Sequence, residues 1–140
     1  MGMTAELLAK VLVIDDSPPT RDLLQIWLTS AGCEVITAPS GEGAVPLVER
    51  QKPDLVLLDI VMPGPNGLEV CERLKQHSAT RDVPVVLVSG LHHPANVRRA
   101  REVGAASYVM KPFDEDELIG VVIATLEARR GGRGPSVPQA

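Results

Sequence analysis

Asp15, Asp16, Asp59, Ser89 and Lys111 are the residues of this chain whose types and placement suit a single chemistry. Three carboxylates brought to one place repel each other unless a cation compensates them. A hard divalent ion bound by oxygens is the economical answer. A lysine ammonium supplies a second compensation and can equally hold a phosphoryl oxygen. A serine hydroxyl at the same rim can donate to another such oxygen. Taken singly each is ordinary, since an aspartate after a strand often caps the next helix and a serine there is usually a turn residue.

What matters is whether the chain brings these residues together. Val11-Leu12-Val13-Ile14 is a wholly apolar run that stops at Asp15-Asp16, as a strand covered on both faces does when it leaves the core. Asp54-Leu55-Val56-Leu57-Leu58-Asp59 repeats that plan. Val83 to Ser89 and Ala106 to Met110 read as further strands, followed by Ser89 and Lys111 at their ends. Glu34 to Ala38 is less apolar and suits a sheet edge. Between them lie helical patterns: one from near Pro19 with Leu23, Leu24, Ile26, Trp27, Leu28 and Ala31, a short one to Arg50, one through Leu68, Val70, Cys71 and Leu74, one over Pro94 to Val103, and a last from Asp114 to about Arg129. Pro46 predicts that the second helix is kinked or begins late. Trp27 is expected to be a packed anchor, and Asp114 to cap the last helix.

Alternating strands and helices imply right-handed βα units and a parallel sheet with helices on both faces. Ligands of such sheets bind beyond the strand C-termini, where all five candidate residues fall.

Composition sets the outer limits. The 140 residues fit one domain, with 44% apolar and 23% charged residues and a net charge of -4, which disfavours nonspecific attachment to nucleic acid. Residues 1–9 read as an extension, 10–129 as the folded unit, and the glycine-rich 130–140 as a flexible tail or truncated linker in which no helix-turn-helix is expected; no direct nucleic-acid binding is expected of the chain. No segment has the pattern of a signal peptide or the length of a membrane span, so a cytoplasmic location is expected. Cys33 and Cys71 lack the spacing of a metal or dithiol site and are expected to be reduced core residues. His92 and His93, without a third convergent ligand, read as loop residues.

The ordered set of Asp15-Asp16, Asp59 followed by Met62-Pro63 and Gly67, Ser89, Tyr108, and Lys111-Pro112-Phe113 resembles the response-regulator receiver family of two-component signalling, from Val11 to about Arg129. The resemblance implies a flavodoxin-like doubly wound α/β sandwich, with a five-stranded parallel sheet in the order 2-1-3-4-5. It implies Asp59 as phosphoacceptor and Mg2+ (or Mn2+) held by Asp16, Asp59 and the Val61 backbone carbonyl, with Asp15 acting through water. Lys111 and Ser89 would hold phosphoryl oxygens, and the Lys111-Pro112 bond would be cis. Ser89 and Tyr108 would form the switch, with Tyr108 in a more exposed rotamer before phosphorylation. The implied partners are a histidine kinase or histidine phosphotransfer protein, and a second copy or target protein on the face of the fourth helix, fifth strand and last helix, where Arg98, Arg99 and Arg101 would add charge.

Three departures qualify that picture. Gly90 replaces the alanine more usual in the family and predicts a looser switch loop, with packing lost along with the methyl. Val61 and Leu91, which flank the phosphoryl position, are apolar and cannot orient a hydrolytic water, which predicts a persistent acyl phosphate. The broad apolar arc of the last helix suggests a contact surface on the Tyr108 side. A binding-only pseudo-receiver is disfavoured by the complete set of acids and lysine. A flavin-binding domain is disfavoured by the absence of a phosphate-cradling loop after the first strand.

Overall fold

A computed structural model describes residues 8–91 and 93–131. Most of the expected extension and tail, and His92, lie outside the described residues. Five strands, β1 (Lys10–Ile14), β2 (Glu34–Ala38), β3 (Leu55–Asp59), β4 (Val85–Ser89) and β5 (Ser107–Met110), form one parallel sheet in the order β2-β1-β3-β4-β5. The helices are α1 (Pro18–Ser30), α2 (Ala44–Gln51), α3 (Gly67–Gln76), α4 (Pro94–Glu102) and α5 (Glu115–Gly131). The expected architecture is the observed one, with α5 running to Gly131.

The sheet divides the apolar interior in two. Alternate residues of the central strands supply each side: Leu12, Ile14, Val56 and Leu58 on one, Val11, Val13, Leu55 and Leu57 on the other. This is why β1 and β3 read as unbroken apolar runs, since both faces are covered. Each fully buried leucine contributes roughly 1.5–3 kcal/mol. Strand register then places the polar residues. Ile14 pairs with Leu58, so Asp15 and Asp59 leave the sheet side by side, and Ser89 pairs with Met110, so Lys111 emerges next to it.

Two local expectations need correction. In α1 only Leu24 and Leu28 are buried, while Leu23 and Ile26 point outward, Ile26 with 62% exposure. The helix meets the sheet along a narrow i, i+4 stripe, and Trp27 closes its flank edge-to-face on Phe113, ring centroids 6.0 Å apart. Pro46 neither delays nor breaks α2, which starts two residues before it. The first bond closing that helix is Leu47 N–H to the Gly43 carbonyl, 3.1 Å, so the missing proline N–H is one that has no acceptor within the helix anyway.

Cys33 and Cys71 are buried and reduced as expected. Burial pushes the Cys71 thiol up to about 11. Asp114 does accept the Glu117 amide at 2.8 Å. Among the described residues no helix is long and apolar enough to cross a membrane.

Candidate phosphoacceptor site

Asp15, Asp16 and Asp59 converge at the C-terminal rim of β1 and β3, with one carboxylate oxygen from each within 4.8 Å of the others. Asp15 and Asp59 are 2% and 5% exposed, whereas Asp16 faces solvent. Lys111 Nζ lies 3.6 Å from Asp59 Oδ2 and 3.8 Å from Asp15 Oδ2. One ammonium therefore faces two buried carboxylates. Burial, reinforced by the Asp15 charge, raises the Asp59 carboxyl above its ordinary value; Lys111 and the Val61 amide oppose that shift, and Asp16 adds to it. The balance is short of positive charge, and the donor set consists of oxygens only. Both features fit a hard divalent ion.

Three polar atoms of Asp15 are fixed by hydrogen bonds, which leaves Oδ2 facing Lys111. Its amide donates to the Ala38 carbonyl at 3.1 Å, and Oδ1 accepts the Ser17 amide at 2.9 Å. Its carbonyl accepts from Arg21 Nη1 at 2.6 Å. Gly67 fits β3 against the start of α3, where a Cβ would stand 2.3 Å from the Asp59 carbonyl oxygen and 2.8 Å from Ile60 Cα. Asn66 and Glu69 form a reciprocal capping box there. The Lys111–Pro112 bond is cis.

On the switch side, Ser89 is fully buried at the end of β4, and its Oγ accepts the Leu91 amide at 2.9 Å. Tyr108 is 6% exposed, and its hydroxyl donates to the Leu91 carbonyl at 2.7 Å. Burial raises the Tyr108 phenol, and a hydrogen bond with Ser89 partly offsets it. The more exposed rotamer expected for Tyr108 is not the one this structure holds. An inward ring packs on the apolar layer beneath α4 and finds a carbonyl for its hydroxyl, so its burial leaves no polar group unpaired. The expectation for Gly90 is also corrected in part, because a Cβ there meets nothing within 4 Å and a methyl would add no packing.

Val61 and Leu91 are exposed beside the site, at 57% and 39%. His93 Nδ1 accepts the Ala95 amide at 3.0 Å and caps α4. Arg99 is turned towards α3, where it pairs with Glu72 at 3.1 Å, instead of adding charge to the β5–α5 side. On α5, Ile119 and Val121 lean against the core and Ile123 is half-buried.

Arg21 was absent from the residues singled out in the sequence. A signal for it exists: a cation in the first turn of a helix faces the positive end of the macrodipole and calls for a specific partner.

Comparison with known proteins agrees with this geometry. A family model described as the response regulator receiver domain matches residues 11–123. The phosphate regulon transcriptional regulatory protein PhoB of Pseudomonas aeruginosa is 36% identical over 126 residues, covering 90% of this chain and 54% of that protein. Protein PilH of the same organism is 35% identical over 119 residues, covering 85% of this chain and 98% of PilH. The chain thus spans about half the length of PhoB and nearly all of PilH. Among solved structures, a putative response regulator from Chloroflexus aurantiacus superposes with a TM-score of 0.81 at 31% identity, over 86% of this chain and 98% of that one. With its acids, lysine and serine gathered at the strand ends of the matching fold, the chain belongs to the response regulator receiver domain family.

Proposed function

We propose that Asp59 accepts a phosphoryl group from a histidine kinase or histidine phosphotransfer protein, with Mg2+ (or Mn2+) held by the acidic cluster, and that the surface around Tyr108 responds. The observation carrying this reading is the buried Asp59 carboxylate, gathered with two further acids and 3.6 Å from the Lys111 ammonium. Asp15, Asp16, Asp59 and the Val61 carbonyl are the groups that would hold the ion. When bound, it would supply neutralisation of charge on the transferring group.

The ionised Asp59 oxygen attacks phosphorus as the bond to the donor imidazole breaks. The electrons of that bond stay with nitrogen, which takes up a proton, and the product is an acyl phosphate. Lys111 is near enough to shift from carboxylate to phosphoryl oxygen, and the Ser89 hydroxyl donates to another. Phosphorylation also adds strong acceptors that draw Ser89 out of its contact with Leu91. The inward Tyr108 is one member of a two-state equilibrium whose other member displays the ring on the face of α4, β5 and α5. A second copy or a target protein would read that face. With two apolar residues flanking it, the acyl phosphate is long-lived, and polar replacement of Val61 and Leu91 accelerates its loss.

Intact mass after incubation with Mg2+ and a small phosphodonor tests the proposal. One phosphoryl addition is expected, absent in Asp59→Asn. No addition to the folded wild type, or equal addition to the variant, would refute it.

A further inference from the structure

Arg21 stands in the first turn of α1, where the positive end of the helix macrodipole disfavours a cation. What engages it is the Asp15 main-chain carbonyl, which accepts from Nη1 at 2.6 Å. That oxygen belongs to the peptide joining Asp15 to Asp16. A peptide unit is planar, so fixing its oxygen also fixes the Asp16 N–H and the direction in which Asp16 leaves the strand end. Asp15 is otherwise anchored through its amide and Oδ1, leaving Oδ2 toward Lys111. Arg21 therefore acts on the joint between the two acids, and on neither carboxylate.

We propose that Arg21 is a positioning residue for the divalent ion, holding the Asp15 and Asp16 carboxylates in the mutual orientation a cation requires by pinning the peptide between them. The inference rests on the metal-binding reading of the acidic cluster given above. Groups that orient metal ligands without touching the metal commonly govern affinity by about 10- to 100-fold.

The charge of Arg21 and its positioning have opposite signs, which makes them separable. A guanidinium beside an acidic cluster weakens its attraction for another cation, so removing the charge alone would tighten Mg2+ binding. Removing the positioning loosens it. Mg2+ affinity of the full chain is measured by calorimetry for wild type, Arg21→Met and Arg21→Lys, with urea midpoints recorded alongside. We expect the methionine variant to bind about tenfold more weakly. The lysine variant should regain much of that loss, because an ammonium still donates to one carbonyl. Affinity unchanged or tightened in the methionine variant overturns the proposal, as does an equal loss in both variants. Should Arg21→Met fail to fold, Arg21→Ala replaces it: with neither charge nor donor left, positioning puts its affinity below wild type and charge alone puts it above. A folded wild type that binds no Mg2+ removes the metal-binding reading itself, and this inference with it.

Discussion

At the edge where the strands begin, Asp54 accepts the Lys10 amide at 2.8 Å, and Arg129 from the end of α5 reaches the Asp54 carbonyl at 2.7 Å and its carboxylate at 3.8 Å. Lys75 closes the neighbouring loop by donating to the carbonyls of Arg81 and Val83, at 3.0 and 2.8 Å, although burial lowers its pKa. At the opposite edge Asp15 and Asp59 lie buried together, with a single ammonium near both. The first edge matches opposite charges and satisfies carbonyls, which closes the fold. The second keeps like charges in a place where burial already opposes ionisation. Binding chemistry and stability thus make opposite demands on residues of the same type, one strand length apart.

Breaking the second edge should cost most in reactivity. Lys111→Met is expected to slow phosphoryl uptake by a small donor by on the order of 100-fold or more, about 3 kcal/mol of barrier, measured by the rate of the mass increase. An uptake rate within threefold of wild type would show that the ammonium is no part of the chemistry. Gly67→Ala forces a Cβ onto the Asp59 carbonyl and Ile60 Cα. It should lose about 2–3 kcal/mol by urea denaturation, the cost of overpacking against backbone that has nowhere to go.

A matched pair of aspartate substitutions sharpens the contrast. Asp54→Ala removes the acceptor of the Lys10 amide and should lose about 1–2 kcal/mol, whether or not Mg2+ is present. Asp59→Asn should do the reverse and raise the Tm by a few degrees at pH 7 without divalent ions. The sign follows from the raised Asp59 pKa. A carboxyl whose folded pKa is raised contributes its stability below its unfolded pKa, about 4, and loses it as pH rises through the folded value. The neutral asparagine escapes that loss, so its advantage over wild type should shrink towards zero as pH falls below about 4. An Asp59→Asn variant less stable than wild type at pH 7 in chelator would contradict the electrostatic reading of this edge.

Much of the acidic edge was legible in the sequence, because an apolar run covered on both faces has to end where its first charged residue appears. Asp15, Asp59, Ser89 and Lys111 all lie at such ends, and parallel pairing with matched register leaves them little choice but to meet. What escaped was set by tertiary contact. Helical spacing in α1 marks an apolar arc but not how much of it the sheet covers, which is why Leu23 and Ile26 face outward. The Tyr108 rotamer depends on a carbonyl in a different loop, that of Leu91. Arg21 acts across a turn on a backbone oxygen, and a cation in the first turn of a helix signals the need for a partner without naming which one. Gly67 was visible as part of a motif, whereas the reason for it, a helix start pressed against the end of β3, is visible only in three dimensions.

The edge-to-face contact of Trp27 with Phe113 links α1 to the segment two residues beyond Lys111. Trp27 is the sole indole of the chain, so tryptophan emission comes from one defined place. A displacement of the Lys111 segment that carries Phe113 with it would alter the surroundings of that indole, and the protein would thereby carry its own optical gauge, readable without a label.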